Sequence, residues 1–175
     1  MSAPQTGIPN TLVLESFFTG WTRAWGAFQD RFGVARQRFR ADVHGAWDEA
    51  RQTLTLTEHF HDLGDGGDER VWVVEKLADG VYRGSAGDVV GTADVRAAAP
   101  GTVHLVYRMR VPVGGQRVAV SFDDWMIRVD ERVLINRATV SKMGVQLGTA
   151  VTFFVRPGDG ESATVTPQAA GAASA

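Results

Sequence analysis

Charged side chains occupy a few positions whose neighbours on the same strand face are apolar. Glu58 and Asp124 each have apolar residues two positions before and two positions after them, and Arg137 is a further charge in a strand-like segment. An unpaired ion in a dry interior costs several kcal/mol. If these residues face inwards, they therefore predict either an ion pair inside the protein or a polar contact with a ligand.

Arg137 is the predicted anchor of that ligand. A guanidinium can hold a carboxylate or a phosphate through two parallel hydrogen bonds, so the ligand is expected to carry an acidic head group. The alternative is an internal ion pair of Arg137 with Asp124 or Glu58, because buried charges are usually paired within the protein. The sequence leaves both interpretations open.

Four further residues are predicted to line the same site or to lie beside it. Trp25 shares a strand face with Arg23 and Gln29, and its ring would offer a flat wall to a ligand while the two neighbours supply polar contacts. Asn136 adds a polar group next to Arg137. Packing of the tryptophan into the core is the alternative for Trp25.

Signatures of catalysis and of metal binding are weak in this sequence. Asp123 and Asp124 are adjacent and so lie on opposite faces of a strand, which argues against a cooperating carboxylate pair. His59 and His61 have a spacing that suits two metal ligands, but the rest of that face is threonine and is expected to look outwards. We therefore predict no catalytic residues, no metal and no cofactor.

The elements that would position these residues are strands. Apolar residues recur at every second position over most of the chain, and short turns rich in Gly, Asp and Asn separate the runs. About ten strands follow one another with short connections, which favours hairpin neighbours over long crossovers. Closure removes the exposed edges of such a sheet. The predicted fold class is all-β, an antiparallel up-and-down β-barrel, with a two-sheet sandwich as the alternative.

The composition predicts one globular domain. The 175 residues are 44% hydrophobic and 22% charged, and the formal net charge of −2 argues against a nucleic-acid partner. Residues 1–11 are predicted to be a flexible N-terminus, residues 12–156 the barrel, and residues 157–175 a disordered tail. No apolar run approaches the ~20 residues of a membrane span, and residues 1–11 do not look like a signal peptide, so a cytoplasmic location is expected.

Four segments of the chain resemble a known bacterial family. They are AWGAFQDRFG (residues 24–33), DVVGTA (88–93), FDDWM (122–126) and LINRATVSKMG (134–144). They are similar to domain of unknown function family 3833, many of whose members resemble lipoproteins. The resemblance implies a lipocalin-like (calycin) fold and no established activity. Lipoprotein-type members carry an acylated cysteine, whereas this sequence contains no cysteine, so a lipid anchor is not expected.

The sequence therefore predicts a barrel that binds a small apolar or amphipathic ligand with an acidic head group in its cavity. Two alternatives belong to other classes. One is an isomerase or cyclase that uses Asp124 or Glu58 as general acid or base against Arg137. The other is a structural or interaction module with a filled barrel and an exposed apolar patch. A binding protein is favoured over an enzyme because catalytic motifs are missing.

Overall fold

A computed structural model describes residues 12–61 and 69–158. The described residues form one short helix and ten strands, with these bounds: α1 Leu14–Phe18, β1 Gly20–Asp30, β2 Ala35–Asp48, β3 Thr53–Phe60, β4 Glu69–Ala78, β5 Val81–Ala86, β6 Ala93–Ala99, β7 Thr102–Val113, β8 Gln116–Arg128, β9 Val133–Lys142 and β10 Val145–Val155. The predicted flexible N-terminus lies outside the described residues, and so does the predicted tail apart from Pro157 and Gly158.

The ten strands close into a single antiparallel barrel. Each strand pairs with its neighbours in the sequence, and β1 completes the ring by pairing with β10 from Arg23 opposite Val155 to Asp30 opposite Gly148. Closure gives the backbone groups of both terminal strands a partner. The predicted up-and-down barrel is confirmed, and the sandwich alternative is wrong. Among the described residues, no helix has the length and apolar character that crossing a membrane requires.

Helix α1 closes one end of the barrel. Three of its residues, Leu14, Phe17 and Phe18, are buried. The ring of Phe18 packs edge-on against Phe154 of β10, with 5.3 Å between the ring centroids. The main chain at Phe18 approaches Gly45 so closely that a Cβ atom at this position would overlap the Phe18 carbonyl oxygen. A helix this short is not stable alone, so packing on the barrel holds it in place.

Candidate ligand-binding cavity

A cavity of about 570 Å³ lies inside the barrel. Its volume falls within the roughly 300–1,000 Å³ of small-molecule sites. Leu14 and Phe18 of α1 contribute to its wall at the closed end. Most of the remaining wall is apolar and includes Phe39, Phe60, Trp72, Val95, Leu105, Phe122, Met126, Ala138, Val140 and Phe154. At the opposite end the hairpins leave an opening, and the lining there includes Gln37, Arg110, Pro112, Arg117 and Leu147.

Asp124, Asn136 and Tyr107 form a hydrogen-bonded group on this wall, which we call the Asp124 cluster. The amide nitrogen of Asn136 and the hydroxyl of Tyr107 both donate to Oδ2 of Asp124, over 2.9 and 3.2 Å. The Asp124 and Asn136 residues are only 3% and 8% exposed. Within the described part of the chain, Oδ1 of Asp124 and Oδ1 of Asn136 are buried and accept no hydrogen bond. The cluster therefore has two acceptor oxygens without a donor.

Burial governs the protonation of the Asp124 cluster. It raises the pKa of Asp124 from the ordinary 3.8 to about 6, although the hydrogen bonds from Asn136 and Tyr107 act in the opposite direction. Burial and the neighbouring Asp124 charge raise the pKa of Tyr107 well above its usual value. At pH 7.5 Asp124 is therefore mostly ionised, and the Tyr107 hydroxyl keeps the proton that it donates.

A second polar group, the Arg70 cluster, consists of Arg70, Glu58 and Asp88. Nε of Arg70 lies 2.9 Å from Oδ2 of Asp88, and Nη1 lies 3.4 Å from Oε2 of Glu58. The guanidinium also lies over the ring of Phe60, 5.3 Å from its centroid. Burial raises the pKa of Glu58, and the positive charge of Arg70 opposes this rise. The single guanidinium of Arg70 therefore forms ion pairs with two carboxylates.

Three of the residues predicted from the sequence line the cavity, namely Glu58, Asp124 and Asn136. Glu58 forms an internal ion pair, as one interpretation of the sequence expected, but its partner is Arg70 and not Arg137. Asp124 has no cationic partner and is held by neutral donors. The structure thus brings the predicted carboxyl groups to the interior but surrounds them with different neighbours.

The prediction that Arg137 faces the interior is wrong. Side chains alternate along a strand, and β9 buries Leu134, Asn136, Ala138 and Val140. Arg137 is therefore exposed on the outer face, where it lies opposite Trp125 of β8 in the strand register. Asn136 and Arg137 are adjacent, so no regular strand could direct both side chains into one cavity.

Strand β1 turns its small residues inwards. Thr22 and Ala24 are 1% and 3% exposed. Gly26 follows them on the same face, and the ring of Phe39 from β2 fills the space that a Cβ atom on Gly26 would need. Thr22, Ala24 and Gly26 thus make room for a large ring from the neighbouring strand, and Phe28 is the large residue that β1 itself turns to the cavity.

The predictions for Trp25, Arg23 and Gln29 are wrong for this reason. Trp25 is 43% exposed on the outer face of the barrel. Arg23 is half-buried on the same face, and Gln29 is exposed and donates from Nε2 to the main-chain oxygen of Gly33 over 2.7 Å. None of the three lines the cavity. Gln29 instead stabilises the turn between β1 and β2.

The sequence reasoning missed Arg70, Asp88 and Tyr107. Arg70 alternates with Trp72 and Val74 along β4, so extending the apolar pattern backwards from Trp72 would have placed it inside. Tyr107 has an apolar residue two positions away on either side and carried the same signal. Asp88 lies between β5 and β6 outside any strand, so periodicity offers no way to find it.

His59 and His61 are exposed and have acidic partners. His59 is 3.3 Å from Glu69, and His61 is 2.9 Å from Asp42. Among residues 12–61 and 69–158, no group of three or more His, Cys, Asp or Glu side chains could hold a metal ion.

A second and more open depression, of about 560 Å³, lies beside α1 at the closed end. Its polar groups already have partners. Glu15 accepts hydrogen bonds from Lys76 and Tyr82 over 2.7 and 2.8 Å, and the indole of Trp47 donates to Glu49 over 2.6 Å. These contacts attach the helix to the barrel, so the interior cavity is the better candidate for a ligand site.

The ten described strands form a closed antiparallel β-barrel around an internal cavity, and this architecture defines the class of the protein. The chain belongs to the family described as "Protein of unknown function (DUF3833)", which matches residues 5–156. The family resemblance found in the sequence is therefore confirmed.

One solved structure shows a similar fold. The S-type phycobiliprotein lyase of Guillardia theta is similar with a TM-score of 0.59 at 10% identity, over 86% of this chain and 96% of that chain. A redesigned β-barrel matches with a TM-score of 0.40 at 12% identity, over 82% of this chain and 95% of that chain. No curated protein matches the chain.

Proposed function

We propose that this protein binds a small, largely apolar ligand inside its barrel. The observation that carries the proposal is the cavity of about 570 Å³, whose wall is mainly aromatic and aliphatic with two polar clusters. Binding sites for small molecules have this character, because apolar walls supply affinity and a few polar groups set orientation. The likeness in fold to a phycobiliprotein lyase is consistent with a barrel that holds a ligand.

The polar end of the ligand needs a different anchor from the one predicted. Arg137 lies outside, and Arg70 already contacts Glu58 and Asp88. Besides Arg70, the described cations that line the cavity are Arg110 and Arg117 at the open end, so the closed end offers no cation for the acidic head group that the sequence predicts. The apolar wall defines the body of the ligand, and the chemistry of its polar end is a separate question.

The cavity also separates this proposal from the alternatives. An isomerase that pairs Asp124 or Glu58 with Arg137 loses that arrangement, because Arg137 lies on the other side of the barrel wall. A purely structural module would fill its barrel with side chains, whereas about 570 Å³ remains here. A ligand-binding protein uses this space without requiring a reaction.

Filling the cavity should abolish binding of an apolar probe. Ala138 is 3% exposed and lines the cavity, so Ala138→Phe places a ring where the ligand would lie. We expect the affinity for the neutral fluorescent probe N-phenyl-1-naphthylamine to fall by about ten-fold or more, or at least about 1.4 kcal/mol. Arg137→Phe is the matched control, since it adds the same ring one residue away on the outer face, and its affinity should equal that of the wild type.

Fluorescence titration of the three proteins measures these affinities, and circular dichroism shows whether each variant is folded. A folded Ala138→Phe protein that binds the probe as well as the wild type would contradict the cavity as the site. Equal losses in the two variants would point to a surface site instead.

A further inference from the structure

We propose that the Asp124 cluster is the polar end of the ligand site and that it selects an amphipathic amine. This inference rests on the proposed function, because it names the class of ligand that the cavity takes. Its basis is the pair of buried acceptor oxygens, Oδ1 of Asp124 and Oδ1 of Asn136, which have no donor among the described residues.

The hydrogen bonds within the cluster fix which groups remain available. Tyr107 and Asn136 both give a proton to the same oxygen, Oδ2 of Asp124. Because the amide nitrogen of Asn136 points to Asp124, its amide oxygen is directed away from the carboxylate. Both residues line the cavity. Both oxygens are covered by neighbouring atoms and lack a donor among the described residues. Buried acceptors of this kind are normally satisfied, so a ligand seated against these two residues would supply the donor that they lack.

The position of the cluster suits the end of an elongated ligand. Asp124 is four residues before the end of β8 at Arg128, and Asn136 is three residues after the start of β9 at Val133. Both strand ends lie on the side that α1 closes. The Arg70 cluster lies on the opposite side, since Arg70 is the second residue of β4. Tyr107 of the Asp124 cluster lies within electrostatic reach of Arg70 and Glu58, and the rest of the cavity wall is mainly apolar and can hold a hydrocarbon or aromatic body.

Charge favours a cation at this position. Three carboxyl groups are among the described residues that line the cavity, those of Glu58, Asp88 and Asp124. Arg70 forms ion pairs with Glu58 and Asp88. Asp124 is left with neutral partners. A ligand carboxylate placed here would bring a like charge and no donor, whereas a primary ammonium brings a compensating charge and three N–H donors.

A comparison of three ligands with the same chain length tests this assignment. Decylamine, decanol and decanoic acid differ only in the head group, and each competes with N-phenyl-1-naphthylamine at pH 7.5, above the pKa of Asp124 at about 6. We expect decylamine to bind the wild-type protein at least about ten-fold more tightly than decanoic acid. Asp124→Asn should weaken decylamine by about ten-fold and leave decanol nearly unchanged.

The matched control is Asp123→Asn. Asp123 is the adjacent carboxylate on the outer face, where it contacts His104 and the indole of Trp125, and its removal changes the net charge by the same amount. Decylamine should bind this variant as it binds the wild type. If Asp124→Asn does not fold, Asn136→Leu leaves the carboxylate and removes the Asn136 acceptor together with its amide donor to Oδ2 of Asp124, and the loss of that acceptor should weaken decylamine binding by about five-fold.

The inference is overturned if decanoic acid binds as tightly as decylamine, or if Asp124→Asn and Asp123→Asn bind decylamine with equal affinity. In either case the proposed function still holds as long as the probe binds. Failure of the folded wild-type protein to bind the probe and all three ligands would instead remove the proposed function, and this inference with it.

Discussion

Replacing Arg70 with methionine is expected to lower the free energy of unfolding by about 3 kcal/mol at pH 7.5. Arg70 neutralises two carboxylates, those of Glu58 and Asp88, from 3.4 and 2.9 Å. Methionine keeps most of the apolar stem but removes the charge, so both carboxylates remain in the barrel without a cation. The expected loss stands at the lower end of the range for broken buried pairs, because the cluster faces an open cavity and water can approach it.

The loss of unfolding free energy in Arg70→Met should become smaller as the pH falls. Burial already raises the pKa of Glu58 above its unfolded value, and removal of Arg70 raises it further. A carboxyl group whose pKa is higher in the folded state binds its proton preferentially there, so acidification favours the folded form of the variant. Urea denaturation at pH 7.5 and at pH 5 should therefore show the gap between variant and wild type narrowing towards pH 5.

Two controls isolate the charge effect of Arg70. The triple variant Arg70→Met, Glu58→Gln, Asp88→Asn removes the carboxylates together with the cation and should regain most of the lost stability. Arg137→Met makes the same exchange at an exposed position and should change the stability by less than about 0.5 kcal/mol. An Arg70→Met protein as stable as the wild type at pH 7.5 would show that the buried carboxylates do not depend on this guanidinium.

Replacing Phe17 with alanine is expected to cost about 3 to 4 kcal/mol of stability. Phe17 is 1% exposed and contacts the ring of Phe18 edge-on, with 5.0 Å between centroids. Its removal leaves a void under the helix that closes the barrel. The strands remain paired, so the loss comes from packing and not from the sheet itself. Thermal and urea unfolding followed by circular dichroism would measure the change.

Phe32→Ala is the matched control for Phe17. Phe32 lies in the turn between β1 and β2 and is 75% exposed, so the same truncation there should change the stability by no more than about 0.5 kcal/mol. Equal effects of the two substitutions would mean that α1 contributes little to the fold and that the closed end of the barrel is held by the strands alone.

The alternation of side chains was sufficient to predict the barrel and much of its inner wall. Glu58 and Asp124 were placed inside because apolar residues flank them at a spacing of two, and the structure confirms both positions. Helix α1 was not predicted, since its five residues are too few to show a helical period. The cytoplasmic location, the flexible N-terminus and the disordered C-terminal tail remain predictions.

The errors in the site have a common physical origin. The chemistry of Trp25 and Arg137 suggests an interior position, although the alternation along their strands leaves the choice of face open. On β1 the inner face carries Thr22, Ala24 and Phe28, whereas the outer face carries two tryptophans together with Arg23 and Gln29, so hydrophobicity alone does not identify the inner face. Small residues lie on the inner face of β1 because a ring from the neighbouring strand packs over them. The register of strand pairing decides which ring meets which residue.

If the ligand lies inside the barrel, intermolecular nuclear Overhauser effects will locate it there. In protein with isotope-labelled alanine methyl groups and bound N-phenyl-1-naphthylamine, contacts with the probe should be confined to the alanines that line the cavity, namely Ala24, Ala41, Ala138 and Ala150. Three outward alanines, Ala27 on β1, Ala46 on β2 and Ala119 on β8, should show none. Contacts with the outward alanines, in place of the inward ones, would contradict the account.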